Sequence, residues 1–159
     1  MSELRRKSGA RRRCAVFRYD VPEMRHKNGA RVGGAEREMK QKHIAVVGVS
    51  HRPEKYGFKI FRDMLEAGYT VSGISVRGGE VLGRKISKTL KELAVVPDIV
   101  ITVVPAEITE RIVEECRELG IKEIWMQPGS ESAAAMAKAE EYGMNLTANA
   151  CFMIQKGLW

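Results

Sequence analysis

The run Gly48-Val49-Ser50-His51-Arg52-Pro53, with Lys55 and Tyr56 just beyond it, gathers residue types that hold a phosphate anion. A glycine lets the backbone turn tightly, and a helix starting after the loop aims unpaired N–H groups and the positive end of its dipole at whatever sits there. Ser50 adds a hydroxyl donor, and Arg52 and Lys55 add positive charge. His51 either donates to an oxygen or faces solvent, and the sequence leaves both readings open. The loop has one glycine where the dinucleotide fingerprint G-x-G-x-x-G has three, so alone it does not name the ligand.

The end of the second predicted strand discriminates better. Proteins that bind NAD place an Asp or Glu there, about 20 residues past the fingerprint, to hold the ribose hydroxyls. This chain has Ser75 and Arg77 instead. A carboxylate repels a phosphorylated ribose, whereas a guanidinium pairs with it in a bidentate way. The pattern therefore predicts a nucleotide with an extra ribose phosphate, coenzyme A or NADP.

The elements that must position these residues follow from hydrophobic patterning. From His43 onward, short apolar runs alternate with amphipathic stretches, the mark of βαβ units and a parallel sheet. Strands are predicted over 43–48, 69–76, 98–104, 121–126 and 145–148. Helices are predicted over 56–67, 106–119 and 130–142, with a short one at 87–93 capped by Ser87 and stopped by Pro97. Five strands and four helices imply an α/β, doubly wound, Rossmann-like parallel sheet, and right-handed crossovers favour the order 3-2-1-4-5. Ligands then lie beyond the strands' C-terminal ends where the order reverses, here between the first and fourth strands.

The wider composition narrows the field. At 159 residues the chain has the length of one domain, and 44% apolar with 30% charged residues is ordinary for a packed protein. Its longest apolar runs fall far short of the roughly 20 residues of a membrane span. Cys14, Cys116 and Cys151 are far apart and form no C-x-x-C pair, which fits neither a disulfide scaffold nor a zinc site and suggests a reducing, cytoplasmic setting. Residues 1–42 carry 13 Lys/Arg against 5 Asp/Glu and residues 43–159 carry 14 against 15, so the net charge of +7 belongs to the tail. That tail reads as disordered. It accommodates a nucleic-acid arm, a mitochondrial transit peptide, an over-extended reading frame with the native start at Met39, or an inert extension. Cys116 reads as core. Cys151 follows the last strand and admits either burial or mixed-disulfide formation with a ligand thiol. Lys85, Lys88 and Lys91, and the acids Glu114, Glu115 and Glu118, read as solvated surface.

Residues 43–154 resemble the CoA-binding protein family, a single Rossmann-like domain similar to the N-terminal domain of the succinyl-CoA synthetase alpha subunit. The matching pieces are Ile44-Ala45-Val46-Val47-Gly48-Val49-Ser50 with Lys55-Tyr56-Gly57, then Ile74-Ser75-Val76-Arg77, then Asp98-Ile99-Val100 leading to Val104-Pro105-Ala106. Gly120-Ile121-Lys122, Ile124-Trp125-Met126-Gln127-Pro128-Gly129 and Asn149-Ala150-Cys151 complete the set. The resemblance implies that Gly48, Val49, Ser50, Lys55 and Tyr56 hold CoA phosphates and that Ser75 and Arg77 lie by the adenosine. It also implies that Val104, Pro105, Gln127 and Gly129 line the pantetheine path. Val76 departs from the proline frequent there, and the resemblance does not extend to the synthetase's phosphohistidine-bearing domain.

The expectation is a non-catalytic module of residues 43–159 that binds CoA or acyl-CoA, with His51 and Arg52 beside the phosphates. The alternative is an NADP-binding oxidoreductase-like domain, against which no catalytic constellation stands out. No membrane partner is expected, nucleic acid only weakly through the tail, and a homo-oligomer stays open.

Overall fold

The computed structural model describes residues 33–159. The expectations for residues 1–32 lie outside the described residues. Helix α1, Gly33–Gln41, is followed at once by the central strand β1, His43–Val47, so the last part of the stretch read as tail is helical. Met39, on the inner side of α1, packs against the core. After β1 come α2 (Tyr56–Glu66), β2 (Thr70–Ile74), β3 (Gly79–Val81), β4 (Arg84–Ser87) and a 3-10 turn at Leu90–Glu92. The chain continues through β5 (Ile99–Thr102), α3 (Ala106–Leu119), β6 (Glu123–Met126), α4 (Ala133–Glu141), β7 (Asn145–Thr147) and α5 (Phe152–Gln155).

The fold is α/β, as the alternating pattern predicts, but the sheet has seven strands in the order β3-β4-β2-β1-β5-β6-β7. All neighbours are parallel except the β3–β4 hairpin. Among the five strands expected, the order is 2-1-3-4-5, which corrects 3-2-1-4-5. The hairpin explains the difference. Its second strand pairs with β2 through Gly73↔Ile86 and Ile74↔Ser87 and takes that edge, so β5 crosses to the free side of β1. Residues 87–93, expected as a capped helix, instead close β4 and make only the short 3-10 turn. The hairpin turn is Leu82-Gly83, both at positive φ (52° and 70°). Two-residue hairpin turns need that geometry, but a leucine in place of Asn or Asp hides it from a sequence reading.

Successive residues of the central strands face opposite layers, as the two-residue period requires. Ile44 and Val46 of β1, with Ile99 and Ile101 of β5, pack on Ile60, Phe61 and Met64 of α2 and on Phe152 and Met153 of α5. Ala45 and Val47, with Val100, pack on Ile112, Val113 and Cys116 of α3 and on Ala135 and Ala139 of α4. Covering the sheet on both faces leaves the strand ends as the place where loops from both layers diverge.

Candidate functional site

The order reverses between β1 and β5. From β1 the chain turns to α2 on one face; from β5 it turns to α3 on the other. The switch point therefore lies between the first and third expected strands, not between the first and fourth. At this point Gly48 has φ +104°, and a Cβ there would stand 2.3 Å from the Val103 carbonyl oxygen, so the two diverging loops touch where only a glycine fits. The Gly48 and Val49 N–H groups both donate to the Ile74 carbonyl, at 2.9 and 3.1 Å. These bonds tie the loop after β1 to the end of β2 and bring its residues beside Ser75 and Arg77.

A cleft of about 510 Å³ opens here. Ten of the expected residues line it: Gly48, Val49, Ser50, His51, Arg52 and Lys55 from the first loop, Ser75 and Arg77 from the end of β2, and Val104 and Pro105 from the end of β5. The Ser50 hydroxyl accepts the Arg52 N–H at 3.1 Å, which shapes the loop and leaves its own proton for a ligand. The His51 ring reaches toward the start of β3, where a Cβ on Gly79 would lie 3.2 Å from its Nε2. Lys55 is the N-cap of α2 and caps nothing with its side chain; no acceptor among the described residues takes the Tyr56 and Gly57 N–H groups. Those two donors and the positive end of the helix dipole lie where α2 packs on the loop at Gly48.

Tyr56 and Gln127 belong elsewhere. They line a second cavity of about 420 Å³, together with Ile60, Pro128, Cys151, Ile154 and Trp159. Val103 lines both spaces, so the two cavities meet on either side of the residue that follows β5. Gly129 lines neither: at φ +93° it turns the chain, and its N–H donates to Glu131 Oε2 at 2.8 Å.

The sequence reading missed the roles of several residues in the cleft and beside it. Gly57 is the foremost. A Cβ on it would meet the Gly48 carbonyl oxygen at 2.0 Å, so this glycine lets α2 start hard against the phosphate loop. It does what the last glycine of the three-glycine fingerprint does, after a longer loop, and its place nine positions beyond Gly48 disguises it. Lys88, read as surface, lines the cleft with its stem along Gly78. The undetected hairpin is what brings it there. Glu115, read as part of a solvated helix face, also lines the cleft, and its carboxylate accepts the Leu90 N–H at 3.3 Å, two residues from Lys88. Lys91 remains outside, paired with Glu118. The lining thus holds four cations, Arg52, Lys55, Arg77 and Lys88, against the single carboxylate of Glu115.

Neighbouring groups set the protonation around the second cavity. Burial alone would raise the Asp63 carboxyl, but hydrogen bonds from Arg62 and from the Trp159 indole, both 2.6 Å, and the charges of Arg62 and Lys59 hold it below the usual range. That bond pins Trp159 across the cavity mouth, with its ring 6.1 Å from Tyr56. On the other face of the sheet, Cys116 sits on the buried side of α3, and burial, then the Glu115 charge, pushes its thiol up to about 12.

Comparison with known proteins bears on what this site holds. The model of a family described as "CoA binding domain" matches residues 42–156. The chain belongs to that family. Acetate–CoA ligase (ADP-forming) II subunit alpha from Pyrococcus furiosus is 32% identical over 119 residues, which cover 68% of this chain and 26% of that subunit. The subunit I counterpart is 34% identical over 87 residues, 51% of this chain and 19% of the relative, so the match spans only about a fifth to a quarter of each ligase subunit. Uncharacterized protein YneT of Bacillus subtilis is 30% identical over 115 residues and is covered over 85% of its length. Among solved structures, a hypothetical protein from Pyrococcus horikoshii superposes with a TM-score of 0.72 at 31% identity, covering 77% of this chain and 88% of that one. The family model and these relatives share the resemblance to a CoA-ligase alpha-subunit domain drawn from the motifs, and the comparisons lend no support to NADP.

Proposed function

We propose that this domain binds coenzyme A or an acyl-CoA as a module without catalysis of its own. The observation that carries the reading is the end of β2, where Ser75 and Arg77, with Lys88 just past β4, line the cleft in place of the carboxylate that NAD requires, and family membership favours CoA over NADP. The 3′-phosphate of the adenosine ribose pairs with Arg77 and Lys88. The diphosphate lies on the Gly48–Ser50 backbone, receiving the Tyr56 and Gly57 N–H groups and the charges of Arg52 and Lys55. Val103, Val104 and Pro105 then guide the pantetheine arm toward the second cavity. Family membership supports the ligand class, and the two free cysteines among the described residues suit a reducing, cytoplasmic setting.

The test compares CoA with 3′-dephospho-CoA by calorimetry, on the parent protein and on Arg77→Ala. The parent prefers CoA by about tenfold or more, equivalent to ~1.4 kcal/mol, and Arg77→Ala narrows that preference to what Lys88 alone supplies while leaving dephospho-CoA binding in place. Equal affinities in the parent would refute the assignment. Turnover of acetate, ATP and CoA by the purified chain would refute the non-catalytic part.

A further inference from the structure

Two features of the second cavity are unused by nucleotide binding. Cys151 is a free, partly exposed cysteine on its wall. Gln127 lines the same wall and is only 4% exposed, yet its Nε2 has no hydrogen-bond partner. A buried amide N–H pair without an acceptor is costly, and its presence at a cavity wall points to an acceptor that arrives with a ligand. Gln127 cannot simply turn away. Its Oε1 accepts the Phe152 N–H at 3.2 Å, which orients the amide and links it to the residue following Cys151. The rest of the lining is apolar or aromatic, from Ile60, Val103, Ile154, Tyr56 and Trp159. One fixed amide donor and one thiol within such walls suit a chain that carries an amide carbonyl and ends in sulfur.

We infer that Cys151 is a thiol–disulfide exchange site for the thiol end of the bound coenzyme, with the Gln127 amide receiving a carbonyl of its pantetheine arm. The inference rests on the CoA reading, because the nucleotide end must sit in the first cleft for the arm to pass Val103. The co-reactant is the coenzyme's own disulfide. The Cys151 thiolate, its proton released to solvent, attacks one sulfur of that disulfide. The ligand S–S bond breaks, a Cys151–ligand S–S bond forms, and the other half leaves as a thiolate that takes up a proton. One disulfide is consumed and one made, so no further oxidant is needed. The result is a coenzyme held covalently in its own site and released by reduction.

Calorimetry of the fully reduced protein with CoA first establishes whether the coenzyme binds. The full chain is then treated with CoA disulfide or, at equal concentration, with cystamine, and modified peptides are identified by mass spectrometry. The expected result is a CoA adduct on Cys151 that dithiothreitol reverses and Cys151→Ser lacks, with Cys116 untouched. It forms about tenfold or more faster than the cystamine adduct, because docking raises the local concentration of the disulfide. Normal CoA binding with no adduct on Cys151, or with cystamine reacting equally fast there, overturns the inference and leaves the CoA reading standing. No CoA binding at all sinks both.

Discussion

Replacing Gly57 with alanine puts one methyl carbon where the structure has no room for it. The added Cβ would stand 2.0 Å from the Gly48 carbonyl oxygen, 3.0 Å from its carbon and 3.3 Å from the Ser50 nitrogen, all backbone atoms. Real Cβ atoms essentially never come closer than 3.0 Å, so α2 and the loop must part by roughly 1 Å. No flexible side chain can yield instead. The Gly48 side of the contact is itself clamped by two hydrogen bonds to Ile74 and by its fit against Val103. Overpacking costs about 1–3 kcal/mol, and rigid backbone on both sides puts this case near the top, at ~3 kcal/mol. For a domain of this size that lowers the melting temperature by about 10 °C. The shift opens the part of the cleft assigned to the diphosphate, and a displacement of this size weakens CoA about tenfold or more. Thermal denaturation by circular dichroism and calorimetric CoA titration well below the melting point read the two effects. Gly34→Ala in α1 is the matched control: nothing lies within 4 Å of its added Cβ, and the protein keeps or slightly raises its melting temperature. If Gly57→Ala melts within a degree of the parent and binds CoA equally well, the close-approach argument is wrong.

Three further outcomes follow from separate parts of the molecule. Ser132 is the N-cap of α4 and accepts the Ala135 N–H at 3.0 Å, so Ser132→Ala costs about 1 kcal/mol in urea denaturation with no change in CoA affinity. Asp63 has a folded pKa below its unfolded value of 3.8, so its contribution is fully present above about pH 4 and is lost as pH falls through the lower folded value. Trp159 then leaves its carboxylate partner: a pH titration of tryptophan emission shows a transition below pH 3.8 that Asp63→Asn lacks, and an unchanged transition in that variant would refute the contact. Cys116, buried with its thiol raised to about 12, stays unlabelled by an aromatic disulfide reagent at pH 8 in the folded protein, whereas Cys151 labels. Rapid labelling of Cys116 would mean that α3 opens readily.

Local chemistry made part of this protein legible before any coordinates. Runs such as Ile44-Ala45-Val46-Val47 can only be buried strands, and Gly120, at φ +73° after α3, ends a helix as its position beyond an amphipathic stretch suggests. Arg77 in place of an acid is a statement about charge, and charge needs no fold to be read. The strand order needed the tertiary structure, because the β3–β4 hairpin rests on short strands and a leucine held at positive φ by its neighbours. Lys88, Glu115 and Gly57 entered the site for the same reason. Each is unremarkable in its own stretch of chain and acquires its role from a partner brought close by folding: Gly78 for Lys88, the Leu90 N–H for Glu115 and the Gly48 carbonyl for Gly57. The second cavity is decided in the same way, since Tyr56, Gln127, Cys151 and Trp159 come from four separate stretches and meet only once α2 and α5 pack on one face of the sheet. Sequence determines what each residue can do locally; contacts between distant segments decide which of them do it together.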